Sequence, residues 1–258
     1  MPVREGFFAF LEDVAATGDG FALMGGVHIT MLGAMAALIA ALCVIYKRQD
    51  EKGRSAMLKL IILIIFSMEA VKQLTFPLIH KWYWVGQLPL HLCGISIAIE
   101  LAHAFFPSKA TREILYSLCL PGAVAALLFC NWSMFPLWNF YCLQSFFIHA
   151  LHVSFPLMLL VTGDLRPRAG QLWRVALFLA GVVPLVYLLN LRLSTNFFFV
   201  NAGSQGSPLE IFIEWAGNPG FLLPYAGLIA AIWLLMYAPW YIWGPYAKHR
   251  QLPSQTHG

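Results

Sequence analysis

An imidazole and a thiol stand two positions apart in the stretch Gln87-Leu88-Pro89-Leu90-His91-Leu92-Cys93-Gly94. Proline is tolerated in the first turn of a helix, where its missing N–H would be unpaired anyway. Pro89 is therefore expected to open a helix and to place Cys93 about one turn inside it. The reactive form of cysteine is the thiolate, and low-dielectric surroundings oppose its formation unless a base takes the proton. At 100° per residue, His91 lies roughly 200° around the helix from Cys93, so the base is expected from another helix. His149 is the candidate, sharing a helix face with Ser145 and His152. A helix N-terminus adds a partial positive charge that favours a thiolate. Asn190, Asn196 or the N–H groups beside Cys93 can serve as oxyanion donors. The plainer alternatives are that Cys93 is a small apolar filler and that His149 is a satisfied core residue.

Other ionisable residues are spaced for pairing. Glu69 and Lys72 are three apart and Glu69 and Gln73 four apart, on one helix face. An internal ion pair and a catalytic or head-group-binding role fit this pattern equally. Glu100, seven residues after Cys93, shares its stripe and is expected to pair with His103. His28, His91, His149, His152 and Glu69 could in principle ligate a metal, but no HExxH or HxxxH pair is present. No metal and no cofactor is expected.

These residues sit in a chain of 258 residues that is 60% hydrophobic and 11% charged, with mean hydropathy +0.71. Soluble domains carry about 25% charged residues, so this is a polytopic membrane protein. The net charge of +4 is spread over short links rather than gathered in a patch, which excludes a nucleic-acid partner. Cys43, Cys93, Cys119, Cys130 and Cys142 lie in or beside apolar segments with no CxxC, so neither a disulfide framework nor a zinc ribbon is supported. Residues 1–22 read as an amphipathic lead-in without the layout of a signal peptide. Residues 23–243 form the transmembrane domain, and 244–258 a cytoplasmic tail.

About 20 mostly apolar residues cross the hydrocarbon core. Seven such segments are expected, giving an all-α fold: Leu23–Tyr46, Ala56–His80, Leu88–Phe106, Arg112–Cys130, Trp138–Thr162, Gln171–Leu191 and Pro219–Trp243. Pro107-Ser108, Asn131-Trp132-Ser133 and Gly163-Asp164 punctuate them. The link from Arg192 to Asn218 is the long one; its polar stretch from Asn201 to Pro208 is a candidate lid.

Lys47, Arg48, Lys52, Arg54 and Lys59, then Lys109 and Arg112, then Arg166, Arg168 and Arg174, then Lys248 and Arg250 all fall on one side of seven spans. By the positive-inside rule that side is cytoplasmic, with the N-terminus outside and the C-terminus inside. Trp82, Trp84, Trp132, Trp138, Trp215, Trp240 and Trp243 near span ends read as an interfacial belt. In this frame His28, Glu69, Lys72, His91, Cys93, Gln144, His149 and Asn190 gather in the outer half of the membrane, His149 roughly 15 Å along its helix. Scattered structural polar groups would not favour one leaflet.

Leu88-Pro89-Leu90-His91-Leu92-Cys93 resembles the LPLHLC signature of the YwaF family of integral membrane proteins. Further segments follow in that family's order. Pro121-Gly122-Ala123 with Ala125-Ala126-Leu127 resembles PGAxxALL. Phe146 to His149, with Pro156 and Arg166-Pro167, resembles FxxH…P…RP. Asn190 with Thr195-Asn196-Phe197 resembles N…TNY, Phe197 standing for the usual tyrosine, and the family's aspartate after the fourth span has no counterpart in Phe129-Cys130-Asn131. The resemblance implies a seven-helix fold. A mammalian branch of the family looks like a lipid acyltransferase that remodels ether phospholipids through the signature cysteine. Carried over, the cysteine is Cys93 and the histidine is His149.

The reading reached is a membrane-embedded acyltransferase or acyl hydrolase acting on a phospholipid or other acyl lipid, in a bacterial cytoplasmic membrane. Cys93 is the nucleophile and His149 the base. His91, Glu69, Lys72, Asn190, Asn196, His28, His152 and Gln144 support them or line the cavity. The alternatives are a non-enzymatic lipid- or small-molecule-binding protein or transporter, and a metal-dependent intramembrane hydrolase.

Overall fold

A computed structural model describes residues 7–9, 20–79, 85, 88–204 and 206–242. Trp82, Trp84, Trp243, most of the lead-in and the basic residues of the tail lie outside the described residues. Within them the chain is helical: α1 (Gly26–Lys47), α2 (Glu51–Ile79), α3 (Leu92–Phe105), α4 (Lys109–Leu128), α5 (Phe140–Thr162), α6 (Leu172–Leu193), α7 (Pro208–Ala216) and α8 (Leu222–Ile242). Of these, α1, α4, α5, α6 and α8 are long and apolar enough to cross a membrane. Helix α2 has 29 residues but carries Lys59, Glu69 and Lys72, and α3 has only 14.

Local chemistry sets the ends. Ser108 caps α4 in a capping box with Thr111. Asn139 accepts from the Tyr141 N–H at the start of α5, and Gly163, in the left-handed region, ends it. Ser207 caps α7 ahead of Pro208. Helix α4 contains a π-helical turn, Leu115–Cys119. One such turn rotates everything after it on the helix, and π turns recur at functional sites.

Helix α5 is the axis of the bundle: 67% of its apolar stretch is buried, against 6% for α8 and 11% for α1. The outer helices turn bare leucines outward, among them Leu63, Leu74, Leu188 and Leu235. A soluble protein hides such surface; a hydrocarbon solvent makes it neutral.

Contacts sort the links into two ends. At one end Arg54 lies 3.6 Å from Asp164, and the Arg168 N–H donates to Glu113, which also accepts from the Tyr237 hydroxyl. At the other end the Phe21 N–H donates to the Ser133 carbonyl and the Phe140 N–H to the Phe7 carbonyl. The basic links between α1 and α2 and between α5 and α6 therefore share one end of the bundle.

Two expectations require correction. Pro89 does not open α3. Leu88 to Leu90 form a turn, with the Leu90 N–H on the Leu88 carbonyl, and the helix starts at Leu92 after an extended His91. The turn folds back over the helix start: a Cβ on Gly94 would meet the Pro89 carbonyl oxygen at 2.4 Å. Cys93 is thus the second residue of the helix rather than one turn inside. The long link is not an open polar loop either. It holds a 3-10 turn (Phe197–Phe199) and α7, tied down through Asn190 and Asn196.

Candidate active site in a buried cavity

The start of α3 is exposed to a cavity rather than sealed. The His91 side chain does not cap it, and among the described residues the first main-chain hydrogen bond into the helix is Ile95 N–H to the His91 carbonyl. The N–H groups of Leu92, Cys93 and Gly94 precede that bond, and all three residues line a cavity of about 470 Å³. Uncapped N–H groups at a helix start are ready donors to an anion. The volume lies in the range of small-ligand and cofactor pockets. Leu88, Leu90 and Leu92 pack on a small core built from Val186, Phe197, Phe198 and Val200, and the His91 ring lies edge-on to Phe197 at 5.1 Å and tilted on Phe199 at 5.4 Å. The leucines of the signature thus bind the long link, and the link in turn fixes Cys93.

Helix α5 supplies the histidines. His149 Nδ1 lies 2.7 Å from the Ser145 carbonyl oxygen. A carbonyl only accepts, so Nδ1 carries the proton, and in the neutral ring Nε2 is left with the lone pair. The ring stacks on Trp132, 4.9 Å between centroids. Trp132, expected in an interfacial belt, is buried instead, because the short link after α4 folds inward over α5. Trp138 and Trp215 are exposed, as a belt requires.

Helix α2 brings the charged wall. Lys72 Nζ is 2.7 Å from Glu69, which also accepts from Gln73 at 2.8 Å and Gln144 at 3.5 Å. Glu69, Lys72, Gln144, His91, Cys93, His149 and His152 all line the one cavity. Sequence reasoning thus found residues from three separate stretches that the fold brings together.

It missed others. Glu100 does not pair with His103: both its carboxylate oxygens meet His152 Nδ1, at 2.9 and 3.0 Å, while His103 bonds Thr111. Glu100 on α3 and His152 on α5 meet where those two helices pack together. Opposite ionisable residues buried in two apolar helices were the available signal, since such groups pair. The contribution of α8, including Tyr225, Ile229 and Trp233, was invisible because these residues look lipid-facing. Phe198 and Phe199, also in the wall, have φ of 60° and 54°. Left-handed backbone costs a non-glycine residue roughly 1–2 kcal/mol, and strain of this kind gathers at functional sites.

Three sequence candidates lie elsewhere. Asn190 is a closed hub: its Nδ2 donates to the Phe197 carbonyl and to Asn201, and its Oδ1 accepts from Thr195 and the Phe197 N–H. Both amide protons are used, so it has none for an oxyanion. Asn196 accepts from the Asn201 and Ala202 N–H groups and donates to the Ala202 carbonyl; neither asparagine lines the cavity. His28 is also outside it. Its Nδ1 accepts from the Met24 N–H and its Nε2 donates to the Leu127 carbonyl, so it is a structural histidine that joins α1 to α4. Among the described residues no three of His, Cys, Asp or Glu converge as a metal site needs.

Fold and site together define a polytopic helical membrane protein built around a mostly apolar cavity with polar groups on several helices. Residues 23–237 match the family model of the TMEM164 family, a family of transmembrane proteins, and the chain belongs to that family. No curated protein and no solved structure matches it.

Proposed function

We propose that the protein is a membrane-embedded lipid acyltransferase that works through a Cys93 thioester. One observation carries the reading: the uncapped N-terminus of α3 at Cys93 and the lone-pair nitrogen of His149 belong to the same apolar cavity. His149 Nε2 takes the thiol proton, and the sulfur attacks the ester carbonyl of a phospholipid. The N–H groups of Cys93 and Gly94 receive the oxyanion. The carbon–oxygen bond breaks, His149 returns its proton to the departing alkoxide, and a lysolipid leaves with the acyl chain on sulfur. An alcohol acceptor then takes the chain and restores the thiol.

The housing is a seven-pass bundle in which α2 and α3 join the five apolar helices. The 14 residues of α3 reach only about 21 Å. The turn from Leu88 to His91 would complete the crossing, because non-helical backbone at membrane depth is tolerated where it is buried in protein or lines a cavity. The end carrying Arg54 and Arg168 faces the cytoplasm of a bacterial inner membrane, and Cys93 opens towards the outer leaflet.

Intact-protein mass spectrometry after incubation with phospholipid tests this. One fatty-acyl mass, removable by neutral hydroxylamine, is expected on the wild type and on Cys119→Ser, and absent in Cys93→Ser. His149→Ala should slow its formation by 100-fold or more. Lipid turnover by Cys93→Ala at the wild-type rate refutes the thioester and leaves the metal-dependent hydrolase reading.

A further inference from the structure

Histidine in this fold comes in two kinds. His28 is structural, and both its ring nitrogens are satisfied. His152 is not. Its Nδ1 is held by both oxygens of Glu100, while its buried Nε2 has no partner among the described residues. Burying an unpaired polar nitrogen is costly, and such an atom in a native structure calls for an explanation. The pair itself does not provide one, because a buried ion pair is a weak source of stability. Its geometry is that of a carboxylate holding an imidazole: Nδ1–H points at the carboxylate, so in the neutral ring Nε2 keeps a lone pair.

The location narrows the ligand. His152 lines the cavity that holds Cys93, three residues beyond His149 on α5, with 6.1 Å between the two rings. Ser96 and Ser117 line the same region, but their hydroxyls already donate to the Leu92 and Glu113 carbonyls. Ile97, Leu118, Ile229 and Trp233 line the cavity as well. His152 Nε2 is sealed from bulk water, so the partner that suits it is a hydroxyl on an alkyl-rich molecule that can part these apolar side chains.

We propose that Glu100 and His152 form a second acid–base site, which binds the hydroxyl of a lipid alcohol acceptor and activates it against the Cys93 thioester. The inference rests on the acyl-transfer reading above and adds the acceptor class and the group that serves it. The acceptor hydroxyl hydrogen-bonds to His152 Nε2 and gives up its proton as its oxygen attacks the thioester carbonyl. The tetrahedral intermediate collapses, the carbon–sulfur bond breaks, and the sulfur regains the proton from the His152 imidazolium. One ester and one free thiol result. His152 touches the reacting oxygen; Glu100 is a positioning residue that fixes the ring and its tautomer.

The test separates loading from discharge in full-length protein reconstituted in lipid nanodiscs. Loading is the rate at which a phospholipid places one acyl mass on Cys93. Discharge is the loss of that mass when lysophosphatidylcholine is added, compared with buffer alone. The wild type should discharge to the lysolipid far faster than to buffer. His152→Gln and Glu100→Gln should load within about 3-fold of wild type, and discharge to the lysolipid should fall roughly 100-fold in the first and about 10-fold in the second. Glu100→Gln should also move the pH profile of discharge and leave that of loading in place, which a packing role would not do. Discharge at the wild-type rate in both variants overturns the second site alone. Loading and discharge falling together with the melting temperature assign the pair to packing and overturn it as well. A wild type that never loads refutes the acyltransferase reading first, and this inference with it.

Discussion

Gly94 tests whether the backbone at the start of α3 positions the chemistry. A Cβ there would lie 2.4 Å from the Pro89 carbonyl oxygen, 2.7 Å from its carbon and 2.9 Å from its Cα, all backbone atoms. Ordinary Cβ contacts begin at 3.4 Å, so in Gly94→Ala the turn and the helix start must separate by about 1 Å. Overpacking of this kind costs roughly 1–3 kcal/mol, which a bundle of this size tolerates. Misplacing a reacting group by about 1 Å costs on the order of 100-fold in rate. Gly94→Ala should therefore fold, melt a few degrees lower and load Cys93 about 100-fold more slowly. Two controls isolate the cause. At Gly122 the nearest atom is Leu92 Cδ2, also at 2.4 Å, but a side-chain end can rotate away, so Gly122→Ala should lose far less. Gly181 has nothing within 4 Å, and Gly181→Ala should be neutral or slightly stabilising, since alanine favours helix by roughly 1 kcal/mol. The assay is intact mass against time, with thermal unfolding in parallel. Loading of Gly94→Ala at the wild-type rate would refute the argument that this contact sets the position of Cys93.

Cysteines introduced at the exposed positions Lys52 and Arg168 should react with an impermeant maleimide from the cytoplasmic side, and one at exposed Ala202 from the outer side; labelling of Lys52→Cys and Ala202→Cys from one side would break the seven-pass arrangement. Asn190→Ala should act on stability rather than on the chemical step. It strands the Phe197 N–H and carbonyl at about 1–3 kcal/mol each, so thermal unfolding should show a loss of roughly 2–6 kcal/mol, and a catalytic loss with unchanged stability would return Asn190 to the oxyanion role.

The membrane character of this protein is a property of its sequence alone, because burying apolar length in hydrocarbon needs no tertiary context. Runs such as Gly26–Lys47 and Leu172–Leu193 register as helices from composition, and capping residues such as Ser108, Asn139 and Gly163 mark their ends within a few positions. That Cys93, His149, Glu69 and Lys72 line one cavity was also legible, since the expected spans and basic links place all four at a similar level before any packing is known. What each group does there is a tertiary matter. His28 and His152 are the same residue type on apolar helices, yet one has both nitrogens bonded and the other keeps one unpaired. Asn190 looks like a donor in the sequence and is a saturated hub in the fold. Glu100 could reach His103 on its own helix; the packing of α3 against α5, which no local pattern encodes, gave it His152. The same holds for Pro89, whose carbonyl lies so close to Gly94 that only a residue without a Cβ fits there. Depth and helicity follow from each segment's own free energy of transfer, whereas partners follow from the relative rotation of packed helices, and that exists only in the assembled bundle.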